Sequence, residues 1–290
     1  MEQGNKKWIL YAVITTVFWG IWGALIEIPE RAGFPATLSY VVWSFTMLIP
    51  AFFALKNVNW ALDKSPKAIL YGMLIGILGA GGQMLLFTGA IANGPAYLIF
   101  PIISLSPVIT ILLSMLLLKE RANQRAWIGI ILALIAIPLL SYSDSEGDIG
   151  LGAWFIYAIL VFIAWGTQGY FMKSTNLFMK AESIFFYMTL SGLLLAPIAY
   201  FMTDFSKEIN YGFDGPGYAF LIQILNSVGA LTIVYAFRHG KAMIVSPMTN
   251  ALAPVITIVL SLIMYAVFPA TITFIGMILA VVSAFVLAYD

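Results

Sequence analysis

The chain alternates between long apolar runs and short polar connections along its whole length. A helix that crosses a bilayer needs about 20 mostly apolar residues, and ten runs approach or reach that length. Membrane β-strands would instead show alternation over about 10 residues. The pattern therefore predicts an all-α integral membrane protein with ten transmembrane helices, numbered 1–10 in chain order. They cover about 8–28, 36–55, 68–91, 95–118, 126–142, 151–172, 181–203, 217–237, 242–266 and 270–289.

Composition removes most other classes of protein. The 290 residues are 62% hydrophobic and 9% charged, with a mean hydropathy of +0.97, whereas soluble domains are about 25% charged. A water-soluble enzyme, a nucleic-acid-binding protein and a disordered chain are excluded, and the predicted surrounding is a lipid bilayer. Because the chain has no cysteine and one histidine, we expect neither a metal site nor a cofactor.

Basic residues predict the orientation, since lysine and arginine are enriched in cytoplasmic loops. With the N-terminus inside, all basic residues except Arg31 and Lys207 fall on the cytoplasmic side. A single missed helix would destroy this asymmetry, so the charges and the ten spans support each other. We predict a multi-pass protein of the cell (inner) membrane with both termini in the cytoplasm. The choice of membrane depends on the lack of an organelle-targeting segment.

The chain repeats itself at an offset of 146–147 residues. Pro107–Ser114 reads PVITILLS, and Pro254–Ser261 reads PVITIVLS. We therefore predict two five-helix repeats, over residues 1–145 and 146–290. Because five is an odd number of spans, the second repeat enters the membrane in the opposite direction. Inverted repeats of this kind are typical of secondary transporters.

Both repeats carry the same motifs in matching places: a Trp-Gly pair in the first helix, a proline in the fourth and a glycine in the fifth. The matching residues are Trp19-Gly20, Pro107 and Gly129 in the first repeat, and Trp165-Gly166, Pro254 and Gly276 in the second. With these motifs the whole chain resembles the EamA-type domains of the drug/metabolite transporter superfamily. That pattern has an acidic residue after the proline, which is Glu120 in the first repeat. The second repeat has Val267 and Phe268 there instead, so we interpret Glu120 as a helix-end residue.

The resemblance implies that helices 1–4 and 6–9 line a central cavity and that helices 5 and 10 are peripheral. These two helices are nearly uninterrupted aliphatic runs, which suit lipid or packing and leave room for a homodimer through helices 5 and 10. We predict a secondary transporter, not an enzyme, that moves a small polar metabolite (an amino acid, sugar or nucleobase-like compound) by alternating access. The alternatives are a non-transporting membrane receptor or scaffold and an intramembrane enzyme, which would need a reactive set at membrane depth.

Polar and aromatic side chains inside the spans are the candidates for substrate binding. An amide in hydrocarbon is costly unless it meets a partner or a wet cavity, and an aromatic plane beside amides suits a flat polar solute. A second interpretation fits the same residues, with amides bonded between helices and tryptophans packed in the core. The candidates are Trp19, Trp22, Gln83, Tyr97, Ser104, Trp165, Gln168, Asn226 and Asn250.

Prolines within the spans are candidates for gating hinges. Each removes a backbone hydrogen bond and bends its helix, although a static bend leaves the same pattern. The candidate hinges are Pro101, Pro107, Pro247 and Pro254.

Coupling to ions has one candidate residue. Acidic side chains deep in a span are the usual proton or cation sites, and none lies at mid-membrane in the predicted spans. Glu27, near the outer end of helix 1, comes closest to the cavity. We therefore expect transport that does not require a proton gradient.

Overall fold

The structure, a computed structural model, describes residues 6–91, 99, 102–140, 153–265 and 270–288. Regular secondary structure in these residues is helical throughout and forms ten segments, labelled here α1–α10. They are α1 (Lys7–Arg31), α2 (Ala36–Asn57), α3 (Pro66–Ala90), α4 (Ile102–Leu117), α5 (Gln124–Leu140), α6 (Ala153–Thr175), α7 (Ala181–Phe201), α8 (Phe213–His239), α9 (Ala242–Tyr265) and α10 (Thr271–Ala288).

Each segment overlaps one of the ten predicted spans. Within the described residues, eight are long and apolar enough to cross a membrane, while α4 and α5 are shorter apolar helices. The chain is therefore a multi-pass membrane protein. Two predicted site residues, Tyr97 and Pro101, lie outside the described residues.

Several helix ends follow local signals in the sequence. α3 begins where the Ser65 hydroxyl accepts an N–H of the first turn and Pro66 takes the first helical position. α5 begins where Asn123 Oδ1 accepts another such N–H at 2.8 Å. At the end of α8, the extended backbone of Gly240 turns the chain into α9. These caps fix the lengths of the helices and hence where their polar faces meet.

The first helix of each half packs against helices of the other half: α1 packs against α8 and α9, and α6 packs against α3 and α4. The contacts match residue by residue. Thr257 Oγ1 of α9 donates to the Gly20 carbonyl of α1 at 2.9 Å, and Thr110 Oγ1 of α4 donates to the Gly166 carbonyl of α6 at 2.8 Å. Thr257 follows Thr110 by 147 positions and Gly166 follows Gly20 by 146. The same helix contact is thus built twice, each time between one half of the chain and the other.

The two aliphatic helices α5 and α10 pack on each other within one chain. Gly129 of α5 lies against Leu287, and Gly276 of α10 lies against Leu139. Ser283 Oγ donates to the Gly129 carbonyl at 2.9 Å. Their outward faces carry exposed apolar side chains. A homodimer through these helices stays a prediction.

Candidate functional site

Trp19 and Trp22 of α1 face α8. Trp19 Nε1 donates to the backbone carbonyl of Asn226 at 3.4 Å, and its ring lies so close to Gly229 that a Cβ there would collide with it. One turn along, Trp22 Nε1 donates to Oε1 of Gln223 at 3.0 Å. Trp19 therefore contacts a glycine and a backbone carbonyl of α8, and Trp22 contacts a side-chain amide of the same helix.

Trp165 and Gln168 of α6 meet α3 in a similar way. Trp165 Nε1 donates to the Gly79 carbonyl at 3.3 Å, and its ring covers Gly82. Gln168 Nε2 donates to the Ile75 carbonyl at 3.2 Å. The amide nitrogen of Gln168 thus joins two helices, while the side chain remains half-buried.

These two tryptophan contacts correspond across the halves of the chain. Trp165 follows Trp19 by 146 positions, and Gly229 follows Gly82 by 147. Each tryptophan comes from one half of the chain and lies on a glycine of the other half. The halves are therefore joined at the centre by an exchanged pair of contacts.

The α8 side of this centre is richer in amides than the α3 side. Gln223 and Asn226 of α8 correspond, 147 positions earlier, to Gly76 and Gly79 of α3. The Gln223 and Asn226 side chains are buried, at 4% and 8% exposure. Within the described residues, only Oε1 of Gln223 among their side-chain polar atoms has a hydrogen-bond partner. The remaining amide groups are available to a ligand or water.

α3 contains two π-helical stretches, Ile77–Gly81 and Leu86–Ile91. Such turns are rare in proteins, and those that occur are often found at functional sites. Gly79, whose carbonyl accepts from Trp165, lies in the first stretch. Gln83 lies between the two stretches, is half-buried and makes no hydrogen bond within the described residues. Gln83 directly follows Gly82, the glycine that the Trp165 ring covers, so its amide is a further polar group near this contact.

A small cavity lies beside the Trp22–Gln223 pair, where α1, α2, α3 and α8 come together. Its volume is about 10 Å³, about what one water molecule needs. The lining residues are Ile26, Glu30, Ala36, Ser39, Phe87 and Gln223. Gln223 therefore contacts both the indole of Trp22 and the cavity.

Two glutamates near the end of α1 have different surroundings. Glu27 Oε2 lies 2.7 Å from Nη2 of Arg31, and the two side chains are 65% and 62% exposed. Glu30 is also exposed, but it lines the small cavity. The sequence contained a signal for it, because Trp22, Ile26 and Glu30 are spaced by four and share a helix face. The interpretation of Glu27 as the carboxylate nearest the cavity overlooked Glu30.

Two other predicted cavity residues lie on α4 and α9. Asn250 of α9 is half-buried, and its Nδ2 donates to the Ser246 carbonyl of its own helix at 2.9 Å. Ser104 of α4 is half-buried and makes no hydrogen bond within the described residues. Their Oδ1 and hydroxyl groups are polar atoms without a partner in this part of the chain.

The described prolines differ in their effect on the backbone. Pro107 is buried and restarts the α4 helix directly after a turn at residues 105 and 106. Pro247 and Pro254 lie inside the continuous helix α9. The clearest interruption next to a predicted hinge is therefore the one before Pro107.

Polar contacts tie together the end of the bundle where α4, α6, α8 and α9 meet. The Glu120 carboxylate accepts the N–H groups of Ala242 at 3.1 Å and Met243 at 3.2 Å, at the start of α9. A helix N-terminus has unpaired N–H groups and a partial positive charge, so a carboxylate there is stabilising. Lys173 of α6 donates to the Gly240 carbonyl at 2.5 Å. Glu120 is thus a cap for a distant helix, a partner that sequence spacing did not reveal.

A second set of contacts at this end joins α1, α7 and α8. Tyr235 donates its hydroxyl to Oε1 of Glu182 at 2.8 Å. The Tyr11 ring stacks on Tyr235 and on His239, with centroids 5.0 and 6.0 Å apart. His239, the one histidine of the chain, ends α8 and takes part in this stack. We call the Glu120, Lys173 and Tyr235 contacts together the polar seam.

The protein is a multi-pass helical membrane protein with two matching halves. Its long apolar helices show the first, and the pair of corresponding tryptophan contacts shows the second. The EamA-like transporter family matches residues 6–142 and 152–289. The chain belongs to that family.

The chain is also similar to individual proteins. An uncharacterized transporter of Bacillus subtilis, YojE, is 23% identical over 272 residues, which are 90% of this chain and 86% of that protein. Protein RarD of Salmonella typhi is 29% identical over 162 residues, 53% of each chain. An uncharacterized protein of Methanocaldococcus jannaschii is 28% identical over 136 residues, which are 47% of this chain and 97% of that one. A crystal structure of 16% identity shares the fold with a TM-score of 0.77, over 96% of this chain and 95% of its own.

Proposed function

We propose that this chain is a secondary transporter that moves a small polar metabolite across the inner membrane by alternating access. In this proposal it crosses the membrane ten times, as two inverted five-helix repeats with both termini in the cytoplasm. The observation that carries the proposal is the exchanged pair of tryptophan contacts. Halves of opposite direction that hold each other by equivalent contacts have two equivalent ways to pack, one open to each side.

The substrate site of this proposal lies around Gln223 and Asn226, next to Trp19 and Trp22. The buried amides there offer both donors and acceptors, and the indoles offer flat apolar faces. A small solute with its own donors and acceptors, such as an amino acid or a nucleobase, fits that chemistry. The cavity of about 10 Å³ beside Gln223 is too small for such a solute, so binding requires α1 and α8 to separate.

The contacts that must change are weak. An interhelical side-chain hydrogen bond in a membrane contributes about 0.6 kcal/mol on average. The Trp22–Gln223 bond at 3.0 Å and the long Trp19–Asn226 bond at 3.4 Å are therefore readily exchanged for bonds to a solute. A solute that binds the separated arrangement more tightly shifts the population toward it.

The polar seam serves as the cytoplasmic gate in this proposal. Its residues lie on the side of the membrane that the basic residues mark as internal. The Glu120 cap on α9 and the bond between Lys173 and Gly240 hold that side closed. Opening the gate requires both contacts to break.

A ligand screen followed by a flux assay tests the proposal. Amino acids, sugars and nucleobases are added singly to purified protein, and a bound compound raises the apparent melting temperature by mass action. Each positive compound is then assayed for counterflow in proteoliposomes, with protein-free liposomes as control. We expect saturable counterflow of a positive compound. A compound that raises the melting temperature but is not exchanged would support the receptor alternative and contradict transport.

A further inference from the structure

An apolar groove runs between α2 and α7. Its volume is about 270 Å³. Thr189, a polar residue of its lining, donates its hydroxyl to the backbone carbonyl of Phe185 at 3.0 Å and so presents no open donor. The walls are formed by Phe52 and Leu55 of α2 and by Phe186, Leu190 and Leu193 of α7.

Trp60 closes one end of this groove. Asn59 and Trp60 both have positive φ, at 52° and 59°, a conformation that residues other than glycine seldom adopt. The N–H of Trp60 donates to the Leu55 carbonyl at 2.8 Å, and the turn lays the indole 5.4 Å from the Phe52 ring. The strained turn thus folds a tryptophan back onto the groove, at a helix end where tryptophan is favoured at the membrane interface.

Two lysines lie at the helix ends that border the Trp60 turn, Lys56 in the last turn of α2 and Lys180 just before α7. Lys56 lies four residues after a groove residue of α2, is exposed and has no ion pair within the described residues. Lys180 Nζ donates to the carbonyl of Ala61, the residue after Trp60, at 3.1 Å. The carboxylate of Asp63 is close by, since its Oδ2 accepts the backbone N–H of Lys180 at 2.8 Å, and its charge offsets one of the two lysines. The end of the groove therefore carries positive charge beside an apolar slot.

We propose that this groove binds one anionic phospholipid, with an acyl chain between α2 and α7 and the phosphate between Lys56 and Lys180. The apolar walls suit hydrocarbon, and lysines at the ends of membrane helices attract anionic headgroups. Phosphatidylcholine carries the same phosphate, but its quaternary ammonium adds a positive charge beside the two lysines, whereas phosphatidylglycerol brings a net negative charge. A second copy of the chain seated here by two-fold symmetry would bring the lysines of both copies into one interface, which like charges disfavour.

Native mass spectrometry tests the lipid site on the full chain. The protein is released from nanodiscs that hold equal amounts of phosphatidylglycerol and phosphatidylcholine, and retained lipid is counted. We expect one phosphatidylglycerol per chain. Lys56→Gln should lower its retention about fivefold, the effect of one lysine near an anionic surface. Leu193→Trp should abolish retention because the indole fills the groove.

Matched controls separate the groove from the general surface. Lys6→Gln removes a lysine at the start of α1, which lies at the same end of the bundle as the end of α2. Leu194→Trp adds the same ring at a neighbouring position that is 59% exposed and outside the groove lining. Both controls should retain phosphatidylglycerol as the unchanged protein does. Thermal unfolding with added phosphatidylglycerol provides a second measurement, in which Lys56→Gln should lose the lipid-dependent stabilisation while its lipid-free melting temperature stays the same.

Three results would overturn the lipid site: equal retention of both lipids, retention unchanged by Lys56→Gln and Leu193→Trp, or a dimer that Leu193→Trp abolishes. The last of these would assign the groove to a second copy. No substrate is present in these measurements. Failure of the lipid proposal therefore leaves the transport proposal untouched.

Discussion

At the residue scale, Gln223 joins the central tryptophan contact to the small cavity. Its Oε1 accepts from Trp22 while its side chain lines the cavity, and no other described side chain does both. We predict that Gln223→Ala lowers counterflow by about one order of magnitude, the effect of one or two lost hydrogen bonds. Gln124→Ala, at the exposed start of α5, is the matched control and should transport normally. Normal kinetics of Gln223→Ala in proteoliposomes would remove Gln223 from the site.

Glu120 leads to a prediction about stability. Glu120→Ala leaves the N–H groups of Ala242 and Met243 without their acceptor, and loss of a helix cap costs about 1 kcal/mol. We expect the apparent melting temperature in detergent to fall by a few degrees. Glu208→Ala removes an exposed loop carboxylate and should leave it unchanged. A melting temperature equal to that of the unchanged protein would show that the cap contributes little.

The sequence predicts which side chains share a helix face, because that depends only on their spacing along the helix. Trp19 and Trp22 are three positions apart, a spacing that puts them on one helix face, and both contact α8. Steps of four from Trp22 lead through Ile26 to Glu30, whose place on the cavity was therefore available from the sequence. The partner of Glu120 was not, because Ala242 lies 122 positions away and only the packing of α4 against α9 brings them together.

At the element scale, the glycines of α3 and α8 set how closely the halves approach. A Cβ on Gly82 would lie 2.6 Å from Nε1 of Trp165, and one on Gly229 would collide with Trp19, whereas one on Gly81 would meet nothing within 4 Å. We predict that Gly82→Ala and Gly229→Ala each lower the melting temperature and impair counterflow.

Gly81→Ala is the matched control for both substitutions. It should be neutral or slightly stabilising, because alanine favours the helix by about 0.5–1 kcal/mol over glycine. Equal effects of Gly81→Ala and Gly82→Ala on melting would show that backbone freedom, and not the fit of the indole, is what α3 requires.

The positions of the helices could be predicted from the sequence, because a segment that crosses the lipid bilayer must be a long apolar run. All ten runs correspond to helical segments. The π-helical stretches of α3 were not predicted, since a change from i+4 to i+5 bonding leaves no mark on an apolar run. The turn before Pro107 was foreseen only as a bend, and its extent depends on packing around α4.

At the scale of the whole molecule, the inverted arrangement predicts which loops face outward. The chain has no cysteine, so single introduced cysteines are labelled without background. Lys207→Cys and Gly212→Cys, in the loop between α7 and α8, should react with an impermeant thiol reagent added to intact cells. Lys64→Cys and Arg121→Cys should react only after the cells are permeabilised. The opposite labelling pattern would reverse the orientation, and a mixed pattern would contradict the ten-span count.

Energy coupling also depends on the whole bundle, since a coupling proton must be reachable from each side in turn. Every carboxylate in the described residues lies in a loop or within two turns of a helix end. Glu27 is exposed and paired with Arg31, so it retains much of its hydration. We predict that counterflow proceeds at equal pH on both sides of the liposome membrane and that Glu27→Gln retains most of it.

Glu30 makes this prediction sharper, because it is the described carboxylate that lines the cavity. If Glu30 contributes only to binding, Glu30→Gln changes the concentration for half-maximal counterflow, and an imposed pH gradient still has no effect. Uphill accumulation that follows the gradient in the unchanged protein and disappears in Glu30→Gln would make this residue the proton site. Accumulation that survives both Glu27→Gln and Glu30→Gln would show that the proton travels elsewhere. The uncoupled mechanism would be wrong in either case.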